Sequence, residues 1–292
     1  MCRLFGMSGA PRTVRATFWL IEAPDSLSRQ SRREPDGTGL GYFEHEHALV
    51  IKRPIAAYQD TAFAREARTV ASTTFVAHVR FASTGGLELK NTHPFEQHNR
   101  VFAHNGVIAG LAELERELGQ YRRLVAGDTD SERFFALITK CVDEHDGDVT
   151  AGIAAAAGWV AQRLPLYALN LILATPLELW ALRYPDTHEL WLLDRQAGGP
   201  HGGRHLEMTS RSGRVHVRAH DVADAPAVVL ASERMDENPA WRLLEPGELV
   251  HVDAQRRLRS RIAVDQAPAR LLTLADLDSR AAASQRPDQP AP

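Results

Sequence analysis

The chain has 292 residues, 44% of them hydrophobic and 24% charged, with a formal net charge of -3. That balance suits a soluble globular protein of one large or two medium domains. It leaves no basic footprint for nucleic acid and no acidic solvating tail. No charged segment followed by an apolar one marks a secretory signal. The most apolar stretch, LYALNLILATPLELWAL, is broken by Asn170, Pro176 and Glu178, so it fails as a membrane span. Two cysteines, Cys2 and Cys141, make neither a disulfide framework nor a CxxC metal spacing. These features predict a cytoplasmic protein with no membrane or nucleic-acid partner.

In chain order, CRLFGMSG predicts a short strand buried at its start. VRATFWLIEAPDSLSRQSRR predicts a helix of about three turns that stops near Pro24 and gives way to a polar loop. PDGTGLGYF is glycine punctuation leading into a strand, and ALVIKRPIAAY is a second strand. AFAREARTVA has the apolar spacing of a short amphipathic helix. TTFVAHVRFAS, β-branched and apolar, predicts a central strand. GGLELKNTHPFEQHNR is a loop, and VFAHNGVIAG is a strand with a turn at its end. LAELERELGQY is a helix. AGDTDSERFFALITKCVDEH is another, capped by Asp128 or Asp130, with Cys141 on its core side. VTAGIAAAAGWVAQRL is an Ala-rich helix. Strands follow in YALNLILAT, ELWALRY and ELWLLDR, and again in HLEMTS, RVHVRAH, AVVLAS and ELVHVDA. The polar end SRAAASQRPDQPAP has a disordered composition. Strands, then helices, then strands, without βαβα alternation, predict an α+β fold of antiparallel sheets with helices in separate layers. One domain over residues 2–265 and a disordered tail over 266–292 account for the whole chain.

Four polar stretches interrupt or end apolar strands. MC opens the chain; HVRFASTGG carries Arg80; NTHPF and AHNG carry His93, Asn105 and Gly106; GDTDSE carries Asp130. Each has an ordinary explanation. A cysteine near a terminus is usually a small hydrophobe under a first strand, Arg80 can be a surface ion-pair former, AsnGly is a hairpin turn signal, and GDTDSE can be a helix cap. Together they describe a site for a free amino acid. Arg80 can grip a carboxylate with its fork, and Asp130 can receive an ammonium. The Asn105 amide and the Gly106 N–H can point at one oxygen as an oxyanion hole. If Met1 is removed, Cys2 carries a thiol and a free α-amine, which has an ordinary pKa of about 7.7–8.0 and can move the thiol proton. The combination reads as acyl transfer from the side-chain amide of glutamine.

MCRLFG, HVRFASTG, NTHPF, AHNG and GDTDSE, in this order over residues 2–135, resemble the class II (N-terminal nucleophile) glutamine amidotransferases, and most closely the small stand-alone members. The resemblance implies a four-layer αββα sandwich of two antiparallel sheets. It implies Cys2 as nucleophile, Asn105 and Gly106 as oxyanion hole, Arg80 on the glutamine α-carboxylate with Ser83 and Thr84 in the adjoining loop, and Asp130 on the α-ammonium. His93 belongs to the loop beside the site, with no acid or base role. No metal or organic cofactor is required, and a zinc site built on His201 and His205 is the minor alternative. The implied partners are glutamine or a γ-glutamyl compound as substrate and a separate ammonia-accepting protein; a homodimer is left open. Two rival readings share the fold. One is a hydrolase of a γ-glutamyl amide in a larger metabolite, as in the ergothioneine pathway. The other is a silent scaffold.

Overall fold

A computed structural model describes residues 2–81, 88–196, 206–209, 216–219 and 225–285. Ser83, Thr84, His201 and His205 lie outside the described residues. The strands are β1 (Arg3–Ser8), β2 (Gly37–Glu44), β3 (His47–Arg53), β4 (Thr74–Arg80), β5 (Phe95–Gln97), β6 (Arg100–Ile108), β7 (Pro165–Ala174) and β8 (Leu179–Leu182). After them come β9 (Trp191–Arg195), β10 (Leu206–Thr209), β11 (His216–Ala219), β12 (Ala227–Ala231), β13 (Arg242–Leu243), β14 (Glu248–Val252), β15 (Leu258–Ile262) and β16 (Arg270–Leu271). The helices are α1 (Leu27–Gln30), α2 (Thr61–Thr69), α3 (Leu111–Leu118), α4 (Asp130–Glu144), α5 (Val149–Arg163) and α6 (Ser279–Ser284).

Two sheets carry the architecture. The first runs β13-β9-β12-β1-β4-β2-β3; the second runs β15-β14-β8-β7-β6-β5, with β16 added along β7. The pairings are antiparallel except β16 with β7. Side-chain parity explains the layers, because alternate residues of a strand face opposite ways. On the first sheet Leu4, Val76, Val228 and Leu230 face the second sheet, where they meet Val101, Ala103, Ile172 and Val250. The other parity, Phe5, Met7, Phe75 and Val229, packs under Phe18, Trp19 and Phe63. On the second sheet Phe102, Leu171, Leu173 and Leu182 pack under Phe134, Phe135, Ala157 and Val160 of the long helices. Three cores separate four layers, the predicted αββα sandwich.

Several local expectations need correction. The predicted three-turn helix is one wide turn, Phe18–Glu22, followed by the single turn of α1 within the predicted polar loop. Phe18, Trp19 and Leu20 are consecutive and all buried, so the segment plugs the core instead of laying down a helical stripe. The glycines of PDGTGLG are inside β2 and not only before it. Gly39 is required there, because a Cβ would lie 2.0 Å from the carbonyl oxygen of His93. Phe95–Gln97, within the predicted loop, pairs with Arg100–Phe102 as a β-hairpin. Residues 266–285 are not a disordered tail. Leu272 donates its N–H to Leu166, and Leu272, Leu274 and Leu277 cover Val107, Tyr167 and Ala168. The apolar Leu-x-Leu-x-x-Leu run in a polar stretch is the physical reason: it has a face to bury.

Candidate active site

The same parity that builds the inner core builds the site. Cys2 precedes Leu4 by two residues, Arg80 follows Val76 and His78, and Asn105 follows Val101 and Ala103. All three therefore reach the space between the sheets, where the start of β1 and the end of β4 lie over the middle of β6. Cys2, Arg80, His93, Asn105, Gly106 and Asp130 line one narrow cavity of about 20 Å³, room for a water molecule.

The start of β1 is fixed by its neighbours. Leu4 donates its N–H to the Ser232 hydroxyl at 2.9 Å, and Ser232 returns its own N–H to the Leu4 carbonyl at 3.1 Å. The Asn105 Nδ2 donates to the Cys2 carbonyl at 3.1 Å. The Cys2 thiol accepts from the Phe81 N–H at 3.3 Å and donates to the Phe81 carbonyl at 3.4 Å. Burial pushes the thiol pKa up, and the charge of Glu34 pushes it further; the Phe81 backbone and Arg80 oppose both. Glu34 is buried and lies 3.6 Å from the Arg3 guanidinium. Burial lifts its carboxyl to about 7, against the pull of the chain-terminal amine and Arg3.

Asn105 and Gly106 do not end their strand. They sit inside β6, paired with Asn170 and Leu169, and β6 continues to Ile108. A hairpin turn at this AsnGly is therefore excluded. The register slips between Val107 and Ile108, and such a bulge takes an N–H out of the ladder. The Ile108 N–H instead donates to Asp130 Oδ2 at 2.8 Å. Asp130 is the first residue of α4, and the helix cap is Thr129, not Asp128 or Asp130. Thr129 Oγ1 accepts from the Glu132 N–H at 3.2 Å, which leaves the Asp130 carboxylate for the cavity and for β6. Asn91 supports this turn, accepting the Asp128 N–H at 2.8 Å.

Buried histidines surround the cavity. His104 lies between the Ser131 hydroxyl, 2.9 Å from Nδ1, and the Ala168 carbonyl, 3.3 Å from Nε2. His78 and His93 lie with ring centroids 4.3 Å apart and planes tilted by 37°. Desolvation depresses all three, His78 to about 3. They are neutral at physiological pH and supply no resident positive charge. His93 is a buried residue of the cavity wall. Arg80 is buried as well, and desolvation, its main perturbation, holds its pKa down.

Among the described residues no group of three His, Cys, Asp or Glu side chains could hold a metal ion, and no helix is long and apolar enough to cross a membrane. Cys141 is buried in α4, and burial lifts its thiol to about 11. Sequence reasoning missed Phe81, Glu34, His104 and Gln285. His104 carries a signal in its parity, since it points away from Asn105 towards α4. Gln285 carries none: 180 residues separate it from Asn105.

The family model of the glutamine amidotransferases class-II matches residues 1–269. The chain is 25% identical over 259 residues to YafJ of Escherichia coli (strain K12), named as a glutamine amidotransferase, covering 85% of this chain and 96% of that one. It is 32% identical over 177 residues to DUG3 of Saccharomyces cerevisiae, which carries the same description, covering 51% of this chain and 49% of that one. Among solved structures, the glutamine phosphoribosylpyrophosphate amidotransferase of B. subtilis superposes with a TM-score of 0.62 at 18% identity, over 91% of this chain and 50% of that one. The glutamine aminotransferase class-II domain protein of Silicibacter pomeroyi gives 0.57 at 17%, over 89% and 98%. This chain thus spans nearly all of YafJ but about half of the yeast protein and of the B. subtilis enzyme. The two superpositions speak for the fold, and the family model speaks for descent: the chain belongs to the class II glutamine amidotransferases.

Proposed function

We propose that this enzyme hydrolyses the side-chain amide of glutamine with Cys2 as nucleophile. The observation that carries the reading is the meeting of Cys2, Arg80, Asn105, Gly106 and Asp130, from four separate stretches of chain, around one cavity. Arg80 takes the α-carboxylate and Asp130 the α-ammonium, which sets the amide carbon before the Cys2 sulfur. The resting thiol is a weak nucleophile because burial favours its neutral form. Removal of Met1 places an amine on the same residue, and that amine accepts the thiol proton. The thiolate then attacks Cδ. Negative charge on the amide oxygen is held by Asn105 Nδ2 and the Gly106 N–H. The proton returns to the nitrogen, ammonia leaves to solvent or to an ammonia-accepting partner protein, and water cleaves the γ-glutamyl thioester to glutamate.

Glutamate release from glutamine tests it. Cys2→Ala is expected to abolish release while the melting temperature stays within a few degrees. A chain blocked against Met1 removal is expected to be equally inactive. Release by either protein at the rate of the processed chain would remove Cys2, or its amine, from the mechanism.

A further inference from the structure

The segment that follows the two sheets returns to the cavity. Leu272, Leu274 and Leu277 fasten it over Val107 and Ala168, beside the strand pair that carries Asn105 and Gly106. Asp278 then caps α6, accepting the N–H groups of Arg280 and Ala281 at 2.9 and 2.8 Å. Ala281, Ser284 and Gln285 are buried, and Gln285 is part of the cavity wall that also holds Cys2. Its carboxamide is latched at both ends. The oxygen lies 2.6 Å from His188 Nε2, and the nitrogen donates to Ser284 Oγ at 2.8 Å. His188 is a firm anchor: it is buried, and its carbonyl accepts from Arg183 Nε at 2.8 Å and from Asn170 at 3.3 Å. Asn170 is the cross-strand partner of Asn105, so latch and site share a strand pair. The other end of α6 brings Arg280 within electrostatic reach of Arg80.

We propose that residues 279–285 are a strap across the glutamine cavity that sets the size of substrate it accepts, with Gln285 as the specificity-determining residue and His188 as its latch. A γ-glutamyl amide bearing a substituent on its nitrogen needs more space than glutamine does, and Gln285 bounds the cavity that holds Cys2. Glutamine has only hydrogens on that nitrogen. The strap is a short part of the wall. It is one six-residue helix with two buried small side chains and one latched carboxamide, whereas Arg80, Asn105, Gly106 and Asp130 stand on β4, β6 and α4.

The substrate half of this proposal rests on the hydrolytic reading above; the wall itself does not. The test therefore pairs two readouts on three proteins: the full chain, Gln285→Ala, and a chain ended at Asp278. The first readout is the rate of Cys2 alkylation, mapped by peptide mass, with iodoacetamide and with a bulky fluorescein maleimide. The second is hydrolysis of γ-glutamyl-p-nitroanilide relative to glutamine. The bulky reagent is expected to react at least ten-fold faster with both altered proteins, with a smaller gain for iodoacetamide, and the anilide-to-glutamine ratio is expected to rise by a similar factor. Gln285→Ala keeps the strap's leucine anchors, so it reads the latch even if the shortened chain folds poorly. Equal maleimide rates in the full chain and Gln285→Ala, at matched circular dichroism, would overturn the strap. Faster labelling with an unchanged substrate ratio would overturn its role in specificity. Labelling without hydrolysis of either amide in any of the three proteins would sink the hydrolytic reading, and the specificity role with it, while the labelling rates still judge the wall.

Discussion

Gly106→Ala tests how tightly the site is built into the sheet. An added Cβ would stand 1.8 Å from the carbonyl oxygen of Ala168 and 2.8 Å from His104 Nε2. Ordinary contact begins near 3.4 Å, so the shortfall at the Ala168 oxygen is 3.4 − 1.8 = 1.6 Å. That oxygen is main chain of β7, hydrogen-bonded in a central strand pair, and cannot swing away as a side-chain end can. β6 and β7 must separate or β6 must twist. Overpacking of this kind costs about 1–3 kcal/mol, more when backbone has to move, and we expect about 3 kcal/mol. For a chain of this size the melting temperature falls by roughly 5–10 °C. Asn105 moves with the strand, and a displacement near 1 Å costs about 100-fold in rate. Urea unfolding followed by tryptophan fluorescence and a coupled glutamate assay read the two effects. A loss of stability below about 0.5 kcal/mol with unchanged turnover would refute the close approach of β6 to β7.

Two further outcomes follow from the same structure. Arg80→Lys removes the planar fork while keeping a charge; with hydrogen bonds to charged groups worth about 1.5–3 kcal/mol, KM for glutamine is expected to rise roughly 10–100-fold, and an unchanged KM would place Arg80 outside the glutamine site. Glu34 is raised in the folded chain from 4.5 to about 7, so its contribution to stability is fully present below pH 4.5 and is lost as pH rises through 7. Gln cannot titrate, so the stability of the native chain relative to Glu34→Gln is expected to decline over that window by up to about 3 kcal/mol; parallel pH profiles from urea unfolding would contradict it.

The sandwich was legible in its β-branched, apolar strands and in the order of its elements. TTFVAHVRFAS and YALNLILAT bury both faces, and the order of elements excluded a parallel sheet. Parity brings Cys2, Arg80 and Asn105 together only once β1 and β4 are paired in one sheet and β6 is laid against them in the other. What was not legible depends on partners distant in sequence. AsnGly looks like a turn until the strand beyond it is paired with β7. Thr129 takes the cap from its acidic neighbours because Asp130 is drawn to the Ile108 N–H, an interaction made by a bulge that sequence does not mark. PDGTGLG looks like punctuation because glycine usually is; in β2 it makes room for the loop carrying His93. The polar composition after residue 265 concealed three leucines with a surface to cover.

The most direct test of the nucleophile is the intact mass of the purified protein before and after incubation with 6-diazo-5-oxo-norleucine, a reactive glutamine analogue. A starting mass lacking Met1 and a single adduct that maps to Cys2 are expected. A processed chain that gains no adduct, or one whose adduct maps to Cys141, would contradict it.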